Sequence, residues 1–215
     1  MTDFLPLFPL KMVIFPGEKV NLHIFEPRYK QLVRECEENG VTFGVPAFIN
    51  DRIMDTGTEL RLLSVEKRHE GGELDIKTLG IGTFRISEFY SVAPQKLYAG
   101  ADIVRIEEDD ARDVLLNDKI LIELHELFRI LNIDKELPSQ AADFVTRDIA
   151  HHVGFSIDQE YEFLCLGSEL DRQQYITAHL ERLIPVVKEM ERLRMKVQLN
   201  GHFKNVLPPG GELKG

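Results

Sequence analysis

The sequence is short of nearly everything that catalysis or membrane insertion would require. It has two cysteines in 215 residues, Cys36 and Cys165. Both fall in apolar helical patterns and read as buried thiols, which build neither a disulfide framework nor a zinc site and fit a reducing cytoplasm. No apolar run approaches the ~20 residues of a membrane-spanning helix. The opening MTDFLPLF has neither the basic start nor the long apolar core of a secretory leader. Basic residues are outnumbered, 26 Lys and Arg against 36 Asp and Glu, for a net charge of −10. The deficit is even, since residues 1–109 and 110–215 each hold 13 basic and 18 acidic residues. Neither half therefore offers a positive field to a nucleic-acid backbone, and no membrane or nucleic-acid partner is expected.

Catalytic motifs are missing too. There is no glycine-rich loop ending in Gly-Lys-Ser/Thr to cradle phosphates, and no Gly-x-Ser-x-Gly elbow to raise a serine nucleophile. His69-Glu70 and His125-Glu126 begin like a zinc-protease helix, but each lacks the second histidine one turn later. The adjacent pair His151-His152 points two ways on a helix and reads as surface or cap. Gly80-x-Gly82 lacks the third glycine and the helix of a dinucleotide fingerprint, and reads as backbone freedom at a strand bend. No catalytic, cofactor-binding or metal-binding residue is expected, and no cofactor.

What is present falls into two halves. Residues 1–109 read as mostly strand. Leu5, Leu7, Phe8 and Leu10 are interrupted by Pro6 and Pro9, which predicts an edge or irregular strand. Pro16-Gly17 supplies a turn, and Val20, Leu22 and Ile24 then alternate as in a half-buried strand. Pro27 opens a helix whose Tyr29, Leu32, Val33 and Cys36 share one face, and Gly40 closes it. Further strands are expected over Val41–Ile49, Gly57–Arg68, Glu73–Ile81, Phe84–Tyr90 and Lys96–Ile106. The apolar phase slips at Leu62–Leu63, which predicts a β-bulge, and Gly71-Gly72 predicts a hairpin turn. Many short strands with one early helix suggest a partly closed barrel.

Glu107–Asp110 reads as a solvated acidic linker. Residues 110–204 then read as helix: Val114–Leu131, a helix opened by Pro138 and carrying Ala141 to Ile149, a short one capped by Ser156 with Gln159, and a long one from Ser168 to about Asn200. The last carries Ile176, Leu180, Leu183, Val187, Met190, Arg194 and Val197 at spacings of four and three, a stripe suited to a bundle or to self-association. Pro185 interrupts its hydrogen bonding. The tail, residues 205–215, is expected to be disordered.

The stretches PLFPL and VIFPGEKVNLHIFEPRYKQLV resemble the opening of the LON N-terminal domain family, which includes the front of Lon protease. KTLGIGTFRISEFY resembles the family's glycine-then-aromatic-arginine strand, and YAGADIVRIEED the strand and acidic exit after it. IAHHVGFSIDQEYEFLCLGSELDRQQYITAHLERL, with Asp171-Arg172, resembles its helical region, so the likeness runs over about residues 4 to 200. It implies an α+β chain: a PUA-like pseudo-barrel followed by a helical bundle with a long C-terminal helix. The residues carrying it are Pro16, Gly17, Glu26, Pro27, Arg28, Tyr29, Gly82, Phe84 and Arg85. Glu26, Arg28 and Tyr29 read either as a ligand-facing rim or, the favoured reading, as residues that start the helix and tie it to the barrel. In Lon this region helps recognise unfolded or tagged proteins. The resemblance therefore implies a non-catalytic, cytoplasmic protein-binding module for such polypeptides, with an apolar groove between barrel and helices as its basis and a separate protease or ATPase as a candidate co-worker. The alternative is a PUA-like barrel binding RNA or a small ligand.

Overall fold

Alternating apolar residues give each N-terminal strand one inward face, and the strands close around it. The computed structural model describes residues 3–204, with side chains up to 198. Its strands are β1 (Asp3–Leu7), β2 (Lys19–Ile24), β3 (Phe43–Ile49), β4 (Arg52–Arg68), β5 (Leu74–Tyr90) and β6 (Ala99–Ile106). Its helices are α1 (Pro27–Asn39), α2 (Val114–Leu131), α3 (Ile157–Leu164) and α4 (Glu169–Lys204). The strand order is β2-β5-β4-β3-β1-β6 and β5 also pairs with β6, so five strands close a ring and β2 hangs on β5 alone. Two 17-residue strands make closure possible. β5 carries β2 along Leu74–Leu79 and β6 along Thr83–Tyr90. Register shifts bend the β4–β5 ladder at three places, one of them between Leu62 and Ser64, where the slipped apolar phase predicts a bulge.

Inside the ring, Phe84 is fully buried with Leu5, Leu7, Ala101 and Ile103. A Cβ at Gly44 would stand 2.6 Å from its ring and one at Gly57 2.8 Å, so both strands need glycine there. The Pro16-Gly17 turn docks on β5: Gly17 N–H donates to Gly80 O at 2.9 Å and Gly80 N–H to Glu18 O at 2.9 Å. A Cβ at Gly80 would lie 2.6 Å from Phe15 O, whereas one at Gly82 meets nothing within 4 Å. Gly80, then, is the glycine this contact requires. Helix α1 follows its sequence pattern, with Tyr29, Leu32, Val33 and Cys36 buried, Pro27 in the first turn and Gly40 as a left-handed cap at φ 65°.

Several expectations need correction. β1 is not an edge strand: it lies between β3 and β6. Its ladder to β3 is a single bridge, Leu7 with Gly44, which is where its irregularity shows. β5 is one continuous strand, bent and not broken at Gly80 and Gly82. The helix expected after Pro138 is two 3-10 segments, Ala141–Asp143 and Thr146–His152, with Phe144 and Val145 extended between them. Side chains capture the carbonyls that a continuous helix would use. The buried Asn117 amide donates to Ala141 O (2.7 Å) and Phe144 O (3.2 Å), and Arg112 donates to Ala142 O and Phe144 O. On α4 the stripe is buried at Ile176 and Leu180, but Met190 and Val197 are exposed. The tail, 205–215, lies outside the described residues.

The chain divides into two compact units. One holds the chain up to Ala111 together with Val145–Arg172; the other holds Arg112–Phe144 and the chain from Gln173 on. In the second, α2 buries Ile120, Leu124 and Leu127, and α4 buries Ile176, Leu180 and Ile184. Ion pairs Lys119–Glu181 (2.6 Å) and Lys188–Glu126 (2.8 Å) link these two helices. In the first, Val145–Arg172 joins the strands through charge. Glu108, just past β6, receives Arg147 at 2.8 Å and Arg172 at 3.1 Å. Arg172 also donates to Glu169 (3.0 Å) and to Leu166 O (2.7 Å). The acidic stretch after β6 is therefore not simply a solvated linker.

Two consequences can be measured. Replacing the buried Arg172 by Met leaves the buried Glu169 carboxylate without its cation and takes one of two arginines from Glu108, and should cost about 3–5 kcal/mol in urea unfolding. The exposed pair Arg192–Glu189 sets the comparison, since Arg192→Met should cost under about 1 kcal/mol. His151 lies between Glu160 (2.7 Å) and Glu18 (3.2 Å), and these hydrogen bonds, Glu160 first, raise its pKa to about 9 against burial. A raised histidine pKa stabilises fully below the unfolded value of about 6.5 and ceases to do so as pH climbs through about 9. The stability gap between wild type and His151→Asn should thus be largest below pH ~6.5, at about 1–2 kcal/mol after allowing for solvent screening. It should close by pH ~10 in denaturation curves taken across that range.

Candidate functional site

On the first unit, β1, the connection from α1 to β3 and the segment entering β6 leave a surface that is open, partly apolar and rimmed by cations. α1 is held to the β6 approach by a polar clasp. Glu35 Oε2 accepts from Lys96 Nζ (2.8 Å) and from the Tyr98 hydroxyl (2.5 Å). Gln31 donates to Glu35 (3.1 Å) while its oxygen accepts the Leu97 N–H (2.9 Å). Burial opposes charge on Glu35, but the hydrogen bonds from Lys96, Tyr98 and Gln31 outweigh it and hold the carboxyl below its usual range. The same burial, with Glu35 beside it, raises the Tyr98 hydroxyl.

A second clasp sits across β1 and β6. The carboxylate of Glu59, 4% exposed, accepts two bonds from Arg105, at 2.7 and 3.1 Å, and one from Thr42 at 2.5 Å. Arg105 also pairs with Asp3. Between the clasps opens a pocket of ≈ 360 Å³ walled by Phe4, Pro6, Val41, Lys96 and Arg105. A larger one of ≈ 610 Å³ runs along α1, between Lys30, Arg34 and Leu97, and Lys96 borders both. Leu97 is 60% exposed and Phe4 46%. Phe4 packs against Gly100 of β6, where a Cβ would collide with its ring. The Tyr90 ring stands 6.5 Å away. Lys30 and Arg34 make no ion pair among the described residues. Such a surface can hold apolar side chains and an anionic group; it places no nucleophile beside a base. The buried Cys36 thiol, at the back of α1, is pushed up to about 12 by burial and by Glu35, and is inert.

Of the residues marked by sequence, Pro27 lines the larger pocket; the others lie elsewhere. Glu26 precedes α1 without a side-chain cap, and its carboxylate takes Arg28 at 2.7 Å. Arg28 covers the Tyr29 ring at 4.6 Å, and the buried Tyr29 stacks on Phe8 at 3.8 Å. The three form a local clip and not a convergent site. Pro16 and Gly17 make the turn on β5, Phe84 fills the ring and Arg85 points to solvent. The sequence pattern marked none of Phe4, Lys30, Arg34, Lys96 or Leu97. The exposed apolar Phe4 in an otherwise inward strand is the signal that could have found it. Among the described residues, one group with metal-ligand chemistry comes together: His23, His69 and Asp75.

Comparison with known proteins agrees with this architecture. The chain is similar over most of its length to a Lon N-terminal domain protein from Xanthomonas campestris, with a TM-score of 0.63 and 26% identity, covering 82% of this chain and 98% of that one. The N-terminal domain of a Mycobacterium avium complex Lon protease shares the fold at 14% identity, with a TM-score of 0.62 over 83% of this chain and 98% of that one. No curated protein sequence matches the chain. The family model of the ATP-dependent protease La (LON) substrate-binding domain matches residues 4–182, so the chain belongs to the LON substrate-binding domain family.

Proposed function

We propose that this protein is a non-catalytic, cytoplasmic binding module for exposed polypeptide segments, and that they dock on the surface shared by Phe4, Leu97, Lys30, Arg34 and Lys96. The observation that carries the reading is an exposed aromatic ring and an exposed leucine beside two open pockets, the larger of which is lined by two cations, Lys30 and Arg34, that lack ion-pair partners among the described residues. An unfolded chain supplies the matching chemistry: apolar side chains freed from a core and the carboxylates of its Asp and Glu side chains. Family membership supports the same class of role. This reading puts the surface on the strand unit and not in a groove between strands and helices. An ATP-dependent protease acting on what this module holds is the proposed co-worker. The net charge of −10 argues against RNA as the ligand.

Fluorescence anisotropy of a labelled, permanently unfolded protein, titrated with this chain, tests the proposal, with the native form of the same protein as control. Saturable binding of the unfolded form alone is expected, weakened at least ~10-fold by Leu97→Glu with Arg34→Glu, which corresponds to about 1.4 kcal/mol. Binding that the double variant leaves unchanged would move the site off this surface, and no binding at tens of micromolar would remove the proposal.

A further inference from the structure

Strand pairing brings two histidines and an aspartate together at the β4–β5 hairpin, whose Gly72 lies near Lys30. His23 on β2 stands directly opposite Asp75 on β5 in the antiparallel register. His69 closes the β4–β5 hairpin, its N–H donating to Glu73 O and its carbonyl accepting from Gly72, both at 2.9 Å. Asp75 sends one oxygen to each ring: Oδ1 to His23 Nδ1 at 2.6 Å and Oδ2 to His69 Nε2 at 2.7 Å. The two rings are nearly perpendicular, with centroids 5.6 Å apart. One ligating atom from each residue lies within 4.8 Å of the other two. Phe25 stacks on the His23 ring at 6.2 Å, which limits its orientations. β2 is already paired to β5 by a six-residue ladder.

We propose that His23, His69 and Asp75 form a binding site for a divalent transition-metal ion, zinc above all. Two imidazoles and one carboxylate are the donor set such ions prefer, with a fourth position left for water, while magnesium and calcium require oxygen. The ion takes the place of the protons now shared between the rings and the carboxylate. Metal–ligand distances of about 2.0–2.1 Å require the two ring nitrogens to draw somewhat closer. The side chains allow it, being 54% (His23), 30% (His69) and 40% (Asp75) exposed. The donors come from β2, from the end of β4 and from β5. The ion would therefore clasp the appended strand, which only β5 holds, to the hairpin beside it.

Zinc chloride titrated into the metal-free full chain at pH 7.5 in a calorimeter tests the site, with hydrogen exchange of the β2 amides as a second readout. One equivalent is expected to bind, with exchange over Lys19–Ile24 slowed when zinc is present. Asp75→Asn should weaken binding tenfold or more, and His23→Ala with His69→Ala should abolish it while the circular dichroism spectrum stays unchanged. Magnesium chloride should give no binding heat. Absence of saturable heat overturns the proposal, as does an equivalent of zinc that survives loss of both histidines.

Discussion

Arg172 and its partner Glu169 are each 1% exposed, and the arrangement of the first unit depends on this buried pair. The Arg172 guanidinium meets Glu169, Glu108 and the Leu166 carbonyl, while Arg147 supplies the second cation and Thr83 donates to Glu108 at 2.7 Å. The two glutamates are matched by two arginines, the condition under which buried charge is tolerated, and the exposed Asp110 also reaches Arg147 at 3.6 Å. Backbone bonds reinforce the join: Asp109 N–H donates to Gly167 O and Glu169 N–H to Asp109 O. The chain thus leaves the strands after β6, makes the α2 excursion, and is drawn back by charge to where it left. Removing Arg172 leaves Glu169 charged and dry, which makes this network more consequential than the exposed ion pairs among the described residues.

The same economy shapes the open surface. Closing five strands into a ring buries Leu5, Leu7 and Phe84 on the inside and leaves Phe4 on the outside, accommodated by Gly100. The polar clasps through Glu35 and Glu59 hold α1 and β6 beside it without filling the pockets. Exposed apolar atoms are therefore presented on a rigid frame, and binding there would not require ordering the frame itself.

Short-range features were the legible ones. The Pro16-Gly17 turn, the buried face of α1, the Leu62–Leu63 bulge and the Ser156–Gln159 capping box each depend on residues within a few positions of one another, and each stands where its pattern put it. What failed was long-range. Pro138 and the apolar run after it suggested a helix, but Asn117 and Arg112, more than twenty residues earlier, claim its carbonyls. Val145–Arg172, helical by pattern, groups with the strands because Arg147 and Arg172 find their acid on the far side of β6. Of the candidate surface almost nothing was legible. Lys30, Arg34, Phe4 and Leu97 belong to three separate stretches, and no spacing rule connects them.

By itself, then, the sequence determined the family, the division into an early strand-rich part and a later helical part, the local turns and caps, and the lack of a recognised catalytic motif. These rest on periodicity and on backbone preferences, which are properties of neighbouring residues. Only the tertiary structure decided that β1 is interior, that Gly80 and not Gly82 carries a tight contact, that Glu108 is an ion-pair partner, and that His23 faces Asp75. The reason is the same in each case: strand register and ring closure set which distant residues meet, and they answer to the packing of the whole core.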